Sequence, residues 1–242
     1  MITIARHVRA DGAGMTDEGG AFLMKRKNYI FRRYCIFFTG LFFVAFGIAF
    51  VTKAGLGTSA ISSVPYTLSL IWPALTMGQW TILFNYLLVA AQIVILKGRV
   101  SKIEMLLQLG VTLIFGYCID FGMWILTPLE PQNYGTKLAA LGIGILIMSF
   151  GAYLEFVGNV VMLPGDGFAN TIARVSHRSF GFIRFISDTI MVACAALMCI
   201  FCLHALTGVR EGTVIAALTV GNVVRIYTRL FRGVEERILP AE

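Results

Sequence analysis

The sequence predicts an all-α integral membrane protein: six transmembrane helices forming two inverted three-helix repeats, each with a short broken or re-entrant segment. Three observations lead there. The 242-residue chain is 57% hydrophobic and 14% charged, with a mean hydropathy of +0.80. A soluble domain runs to about 25% charged. The apolar residues fall into six runs near the length of about 20 residues that crosses hydrocarbon. Lys and Arg collect at alternate ends of those runs, as they do where they orient helices in a membrane. The runs are apolar all round, which argues against a soluble helical bundle with polar outer faces.

The first element is a tail. In residues 1–28, Arg6, His7, Arg9, Asp11, Asp17 and Glu18 lie among glycines without apolar periodicity. This reads as a disordered cytoplasmic tail. A cleavable signal peptide would need a short apolar core and a small-residue cleavage site, and neither follows. Met15 and Met24 are alternative starts. Residues 29–235 form a single membrane domain, and residues 236–242 a cytoplasmic C-terminal tail.

The spans follow in order: Tyr34 to Ala54, Thr76 to Leu96, Ile103 to Thr127, Leu138 to Val157, Phe185 to Leu206, and Gly212 to Leu230. Backbone polar groups in lipid must bond within the segment, so each run is a helix. With the N-terminus inside, the inner face receives Lys25, Arg26, Lys27, Arg32 and Arg33, then Lys97, Arg99 and Lys102. It also receives Arg174, Arg178 and Arg184, and finally Arg225, Arg229, Arg232 and Arg237. The outer face receives only Lys53, Lys137 and Arg210. This asymmetry predicts both termini in the cytoplasm. The formal charge of +7 and pI near 9.3 are therefore charges of membrane orientation. They form no stripe with interleaved aromatics, and no nucleic-acid partner is expected.

Two apolar stretches remain. One runs from Gly55-Leu56-Gly57-Thr58-Ser59-Ala60 to Trp72. The other runs from Gly158-Asn159 through Pro164-Gly165-Asp166-Gly167 to about Val175. Both mix glycine, proline and short polar side chains, the chemistry of a turn before a helix. The plain reading is surface loops with interfacial helices. The sharper one is a pair of re-entrant segments, tolerated at depth only where protein buries them or they line a cavity. Thr58-Ser59 and Asp166 are the N-cap candidates for the helices that follow.

The two halves, residues 34–127 and 138–232, resemble each other. Thr39-Gly40 leading to Phe46-Gly47 matches Ile143-Gly144 leading to Phe150-Gly151. Met77-Gly78 through Asn85 matches Phe180-Gly181 through Asp188, and Leu113 to Gly116 matches Leu218 to Gly221. Three crossings per unit is an odd number, so the second unit enters from the opposite face. Inverted repeats of this kind place discontinuous helices around a midplane site in secondary transporters.

The pattern Phe46-Gly47…Ala54-Gly55-Leu56-Gly57-Thr58-Ser59, with Leu163-Pro164-Gly165-Asp166-Gly167-Phe168 about a hundred residues later, resembles the YczE/YyaS/YitT family of bacterial integral membrane proteins. The resemblance covers about Tyr34 to Phe231. It implies a location in the bacterial cytoplasmic (inner) membrane and carries no catalytic residues.

Polar residues inside spans are costly and mark function by default. Asp166, Asn159, Asn222, Thr58, Ser59 and Asn85 are the candidates for a solute or ion pathway between the repeats. Asp166 either caps its helix or carries a proton or cation. Arg184 and Asp188 form an i,i+4 structural ion pair on one helix face. Glu155 and Asn159 lie one turn apart near the inner end of the fourth span, and Asp120 near the outer end of the third. Arg225 stands in the Asp120-equivalent position of the second half and snorkels or faces an acid. Lys53 snorkels outward. Cys199 and Cys202, with Cys194 and His204 nearby, read as packing residues, since a metal needs more ligands converging. No nucleophile elbow, phosphate loop, zinc-protease helix or dinucleotide fingerprint occurs, so no enzyme, metal or cofactor is expected.

The expectation is a small-solute transporter or permease, of which an ion-gradient-coupled carrier is one form, whose partners are the bilayer and a small solute. The alternatives are a channel assembled as a homo-oligomer, and a non-transporting factor that acts through a protein partner. The residues select no substrate class.

Overall fold

The structure is a computed structural model that describes residues 17–97, 101–205 and 207–232, with side chains described from Ile30 onward. Among the described residues there are eight α-helices and no strand. They are α1 (Asp17–Lys53), α2 (Ser63–Ile71), α3 (Met77–Ile95), α4 (Lys102–Ile125), α5 (Tyr134–Gly158), α6 (Pro164–Ser176), α7 (Phe180–Met198) and α8 (Glu211–Leu230). A π-helical turn, Cys199–Leu203, extends α7.

Five helices are long and apolar enough to cross a membrane: α1 from Ile30, α3, α4, α5, and α7 with its π turn. This is the build of a helical membrane protein. The large apolar side chains on the outside fit it, among them Phe31, Leu87, Trp124, Phe156 and Phe201. The sixth expected span, α8, has 20 residues, yet it does not count among the five.

The expected boundaries need three corrections. First, α1 begins at Asp17, so residues 17–28 of the expected tail are helical rather than disordered; residues 1–16 and 236–242 lie outside the described residues. Second, α7 starts at Phe180, ahead of the expected Phe185, and its final turns are π-helical before His204 turns left-handed at φ 52°. Third, neither expected N-cap is one. Ser62 precedes α2, and Leu163 precedes α6, whose first residue is Pro164. A proline at that position loses nothing, because its missing N–H would have had no helical partner.

The centre of the fold is the crossing of α1 and α5. Glycines line it from both sides. A Cβ placed on Gly40 would lie 2.7 Å from the Glu155 nitrogen, and one on Gly47 would lie 2.5 Å from the Met148 nitrogen. From α5, a Cβ on Gly144 would meet the Val51 nitrogen at 2.9 Å and one on Gly158 the Phe37 nitrogen at 3.0 Å. Gly40 and Gly47 are seven residues apart, as are Gly144, Gly151 and Gly158. Seven residues is close to two turns, so each set forms one stripe. In lipid no hydrophobic force drives helices together, and small residues stabilise the pair by letting backbones pack closely. Phe37, Leu41, Val44, Ala45 and Ile48 of α1 fill the space beside this crossing with Met77, Val111, Phe115, Ile119 and Met148.

The remaining helices are arranged around that pair in matching fashion. α4 packs on α1, and α8 packs on α5. α2 packs on α3 and α7, and α6 packs on α7 and α3. The match fails once. α3 packs along α4, whereas α7 and α8 do not pack along each other.

The α1–α5 contact generates a stability prediction. Gly47→Ala places a methyl against backbone that cannot move aside, and overpacking of this kind costs about 1–3 kcal/mol. Gly142→Ala, also on α5, meets nothing within 4 Å and gains up to about 1 kcal/mol of helix propensity. Thermal unfolding in detergent should separate the two. Equal melting temperatures would show that the glycine stripe does not set the packing.

Candidate functional site

The broken segments carry non-helical backbone that is largely buried in the protein, so their polar groups need partners. In the first, Gly55 and Gly57 have φ of 71° and 108°, a region that other residues rarely adopt. The N-terminal turn of α8 holds this segment. Gly212 N–H donates to the Leu56 carbonyl at 2.8 Å, and Thr58 N–H donates to Thr213 Oγ1 at 3.2 Å. The Arg210 guanidinium donates to the Gly55 carbonyl at 3.1 Å. Hydroxyls complete the set. Thr52 and Thr58 share a hydrogen bond of 2.8 Å, and Ser59 donates to Ser62 at 2.9 Å.

The second segment is held by amides. Gln92, near the end of α3, donates to the Pro164 carbonyl and to Gln108 Oε1 of α4, both at 3.2 Å. Both glutamines are buried. A Cβ on Gly167 would lie 2.8 Å from both amides, so a larger residue here would displace the glutamine side chains. Ahead of this segment α5 ends at Asn159, left-handed at φ 43°. Arg33 caps that end by donating to the Gly158 and Asn159 carbonyls, each at 3.0 Å. A cation suits a helix C-terminus, where the unpaired carbonyls carry negative charge. The two broken segments also meet, because Ile61 packs where a Cβ on Gly165 would stand.

Between the segments lies a cavity of about 680 Å³. Its apolar walls come from Val44 and Ile48 of α1, Phe115 of α4, Met148 and Ala152 of α5, and Val220 and Val224 of α8. Ser59 and Asn85 reach it from the first half. The second half contributes five ionisable groups: Glu155, Asp166, Arg184, Asp188 and Arg225. Residues of both α7 and α8 are among those that line it.

Arg184 organises this charge. It pairs with Asp166 across the α6–α7 contact, and its Nε donates to Asp188 at 3.2 Å and 3.3 Å. The expected Arg184–Asp188 pair is thus present, and the same guanidinium also serves Asp166. Asp166 does not cap α6 but sits in its first turn, where a negative charge suits the helix dipole. Glu155 differs. Its Oε1 is fully buried and has no hydrogen-bond partner. Asp166, expected either to cap its helix or to carry a proton or cation, is paired with Arg184, while the buried Oε1 of Glu155 has no partner.

Of the six expected pathway residues, Asp166, Ser59 and Asn85 line the cavity. Thr58 is fully buried and serves the first segment. Asn159 caps α5, and Asn222 is exposed with its amide on the Leu218 carbonyl of its own helix. Sequence reasoning left Glu155 and Arg225 out of the site, and it overlooked Gln92 and Gln108. The signal for the glutamines was available, since an amide inside an apolar helix needs a partner.

Asp120 has a separate role at the start of α3. Its carboxylate accepts from Thr76 Oγ1 at 2.6 Å and from Gly78 N–H at 2.8 Å. It therefore ties α4 to the first turn of α3. Gly78 and Gly116 pack against each other beside it, and a Cβ on either would strike the other's carbonyl oxygen.

A model described as a family of unknown function, DUF6198, matches residues 31–229. The match covers most of the chain, and the chain belongs to that family. No curated protein and no solved structure matches it.

Arg184 can be tested by stability. Its side chain and those of Asp166 and Asp188 are 34%, 37% and 27% exposed, so the pairs lie between surface and buried cases. Arg184→Gln strands two carboxylates and should cost about 1–3 kcal/mol. Asp188→Asn leaves Arg184 paired with Asp166 and should cost less. Melting temperatures of the two purified variants give the comparison, and an Asp188→Asn variant that melts lower would remove Arg184 from the centre of the network.

Proposed function

We propose that this DUF6198 member is a small-solute transporter or permease of the bacterial cytoplasmic membrane. In this reading α8 is the sixth crossing, both termini are cytoplasmic, and the two halves form an inverted repeat. The observation that carries the reading is the charged cavity where the two broken segments meet. Transporters with inverted repeats hold their solutes in such places.

The helix order supports the repeat. Each half has a long glycine-lined helix, a broken segment, a short helix and two further long helices. The short helices, of 9 and 13 residues, reach about 14 and 20 Å at 1.5 Å per residue. Neither crosses hydrocarbon about 30 Å thick. The Lys and Arg asymmetry supports the orientation. The resemblance to YczE/YyaS/YitT proteins supports the bacterial membrane. Glu155 is the group suited to couple transport to a proton or cation, because burial without a partner is costly for an ionised carboxylate.

Ligand binding tests the reading. Purified protein should melt at higher temperature with some member of a small-metabolite panel, by an amount that rises with the logarithm of its concentration. In liposomes that solute should accumulate against its gradient when an ion gradient is imposed. Downhill flux alone would indicate a channel. No flux, with a protein recovered on pull-down, would indicate a partner-dependent factor.

Topology is tested separately. Phosphatase fusions, active only outside the cytoplasm, should work after Pro131 and fail after Leu239. Activity after Leu239 would mean an odd number of crossings and would end the inverted-repeat reading.

A further inference from the structure

The two halves differ at one clasp. Thr76, Met77 and Gly78 at the start of α3 correspond to Ser179, Phe180 and Gly181 at the start of α7. Asp120 and Gly116 of α4 correspond to Arg225 and Gly221 of α8. In the first half the clasp is shut: Asp120 grips Thr76 and Gly78, Thr76 caps α3, and the two glycines touch. In the second half it is open. Cβ atoms on Gly181 and Gly221 would meet nothing within 4 Å, both glycines line the cavity, and Ser179 makes no capping hydrogen bond. The residue in Asp120's place is Arg225, which also lines the cavity. Arginine has donors and no acceptor, so it cannot grip the N–H groups that open α7.

We propose that an anionic group of a small solute, a carboxylate or phosphate, replaces the missing carboxylate between Arg225 and the start of α7, and that its binding draws α7 onto α8. This rests on the transporter reading and names its substrate class. Both sides of the gap suit an anion: a guanidinium binds carboxylate and phosphate through paired donors, and the first N–H groups of a helix are an anion site. A second feature of the same cavity also points to a ligand. Glu155 presents a buried, unpartnered Oε1. The cavity holds three carboxylates, Glu155, Asp166 and Asp188, against two guanidiniums, Arg184 and Arg225. A proton carried on Glu155 alongside the anion offsets that surplus and turns the acid into a hydrogen-bond donor. Closure would bring Gly181 and Gly221 to the kind of contact already made by Gly78 and Gly116.

The test is a crosslink. Gly181→Cys and Gly221→Cys are introduced together into the full chain after replacing Cys35, Cys118, Cys194, Cys199 and Cys202. A disulfide forms only when the two Cα atoms come within about 7 Å. The purified protein in neutral detergent is oxidised with acetate, succinate or inorganic phosphate, with phosphatidylglycerol micelles, and with choline as the cation control. A several-fold rise in crosslinking with a soluble anion, lost in Arg225→Gln and kept in Glu155→Gln, is the expected result. A rise with phosphatidylglycerol and with no soluble anion assigns the site to a lipid headgroup and overturns the solute. No rise with any anion, or an equal rise in Arg225→Gln, overturns the clasp. If the double-cysteine protein does not fold, melting shifts of the native-cysteine chain against its Arg225→Gln variant give the same comparison. A non-anionic solute that alone stabilises the protein would overturn the anion and leave the transporter reading standing.

Discussion

The backbone contact between α1 and α5 is the constraint on which the other placements depend. Gly40 and Gly47 of α1, and Gly144, Gly151 and Gly158 of α5, lie so close to the opposite helix that a Cβ on any of them would crowd its backbone. Apolar surface offers no net attraction between helices already solvated by lipid, so the association depends on contact at short range. With those two axes fixed, α4 has its place on α1 and α8 on α5. The broken segments follow directly from the C-terminal ends of α1 and α5.

The broken segments then require polar partners, and the two halves supply them differently. The first segment uses hydroxyls and the N-terminal turn of α8: Thr52, Thr58, Ser59, Ser62 and Thr213. The second uses the amides of Gln92 and Gln108 from α3 and α4. Each half therefore closes the other half's break. A unit cut out alone would leave buried N–H and C=O groups unpaired, at a cost of about 1–3 kcal/mol each. This mutual dependence holds the two halves against each other around the cavity.

Charge in the cavity is divided unequally. Arg184 satisfies Asp166 and Asp188, while Glu155 retains a buried oxygen without a partner. Asp120 ties α4 to the start of α3 with a carboxylate, and Arg225 of α8 lines the cavity. The packing is unequal as well: α3 packs along α4, whereas α7 and α8 do not pack along each other.

Much of the fold was legible in the sequence. Apolar run lengths located the five helices that meet the demands of a membrane crossing, because lipid leaves a chain few alternatives to helix. The i,i+4 spacing of Arg184 and Asp188 marked their pair, whereas the glycines of α1 and α5 read only as marks of the repeat and their contact across the two helices came from the packing. Half of the expected pathway residues reached the cavity: Asp166, Ser59 and Asn85. Thr58, Asn159 and Asn222 did not, since depth in a span does not say which way a side chain points or what it already bonds. Asn222 turns to its own Leu218 carbonyl, and Asn159 ends a helix. The assignment of Arg184 to Asp166, the burial of Glu155 and the gap between α7 and α8 depend on where separate helices pack. Those relations join residues far apart in the chain, and local periodicity carries no information about them; the tertiary structure alone decided them.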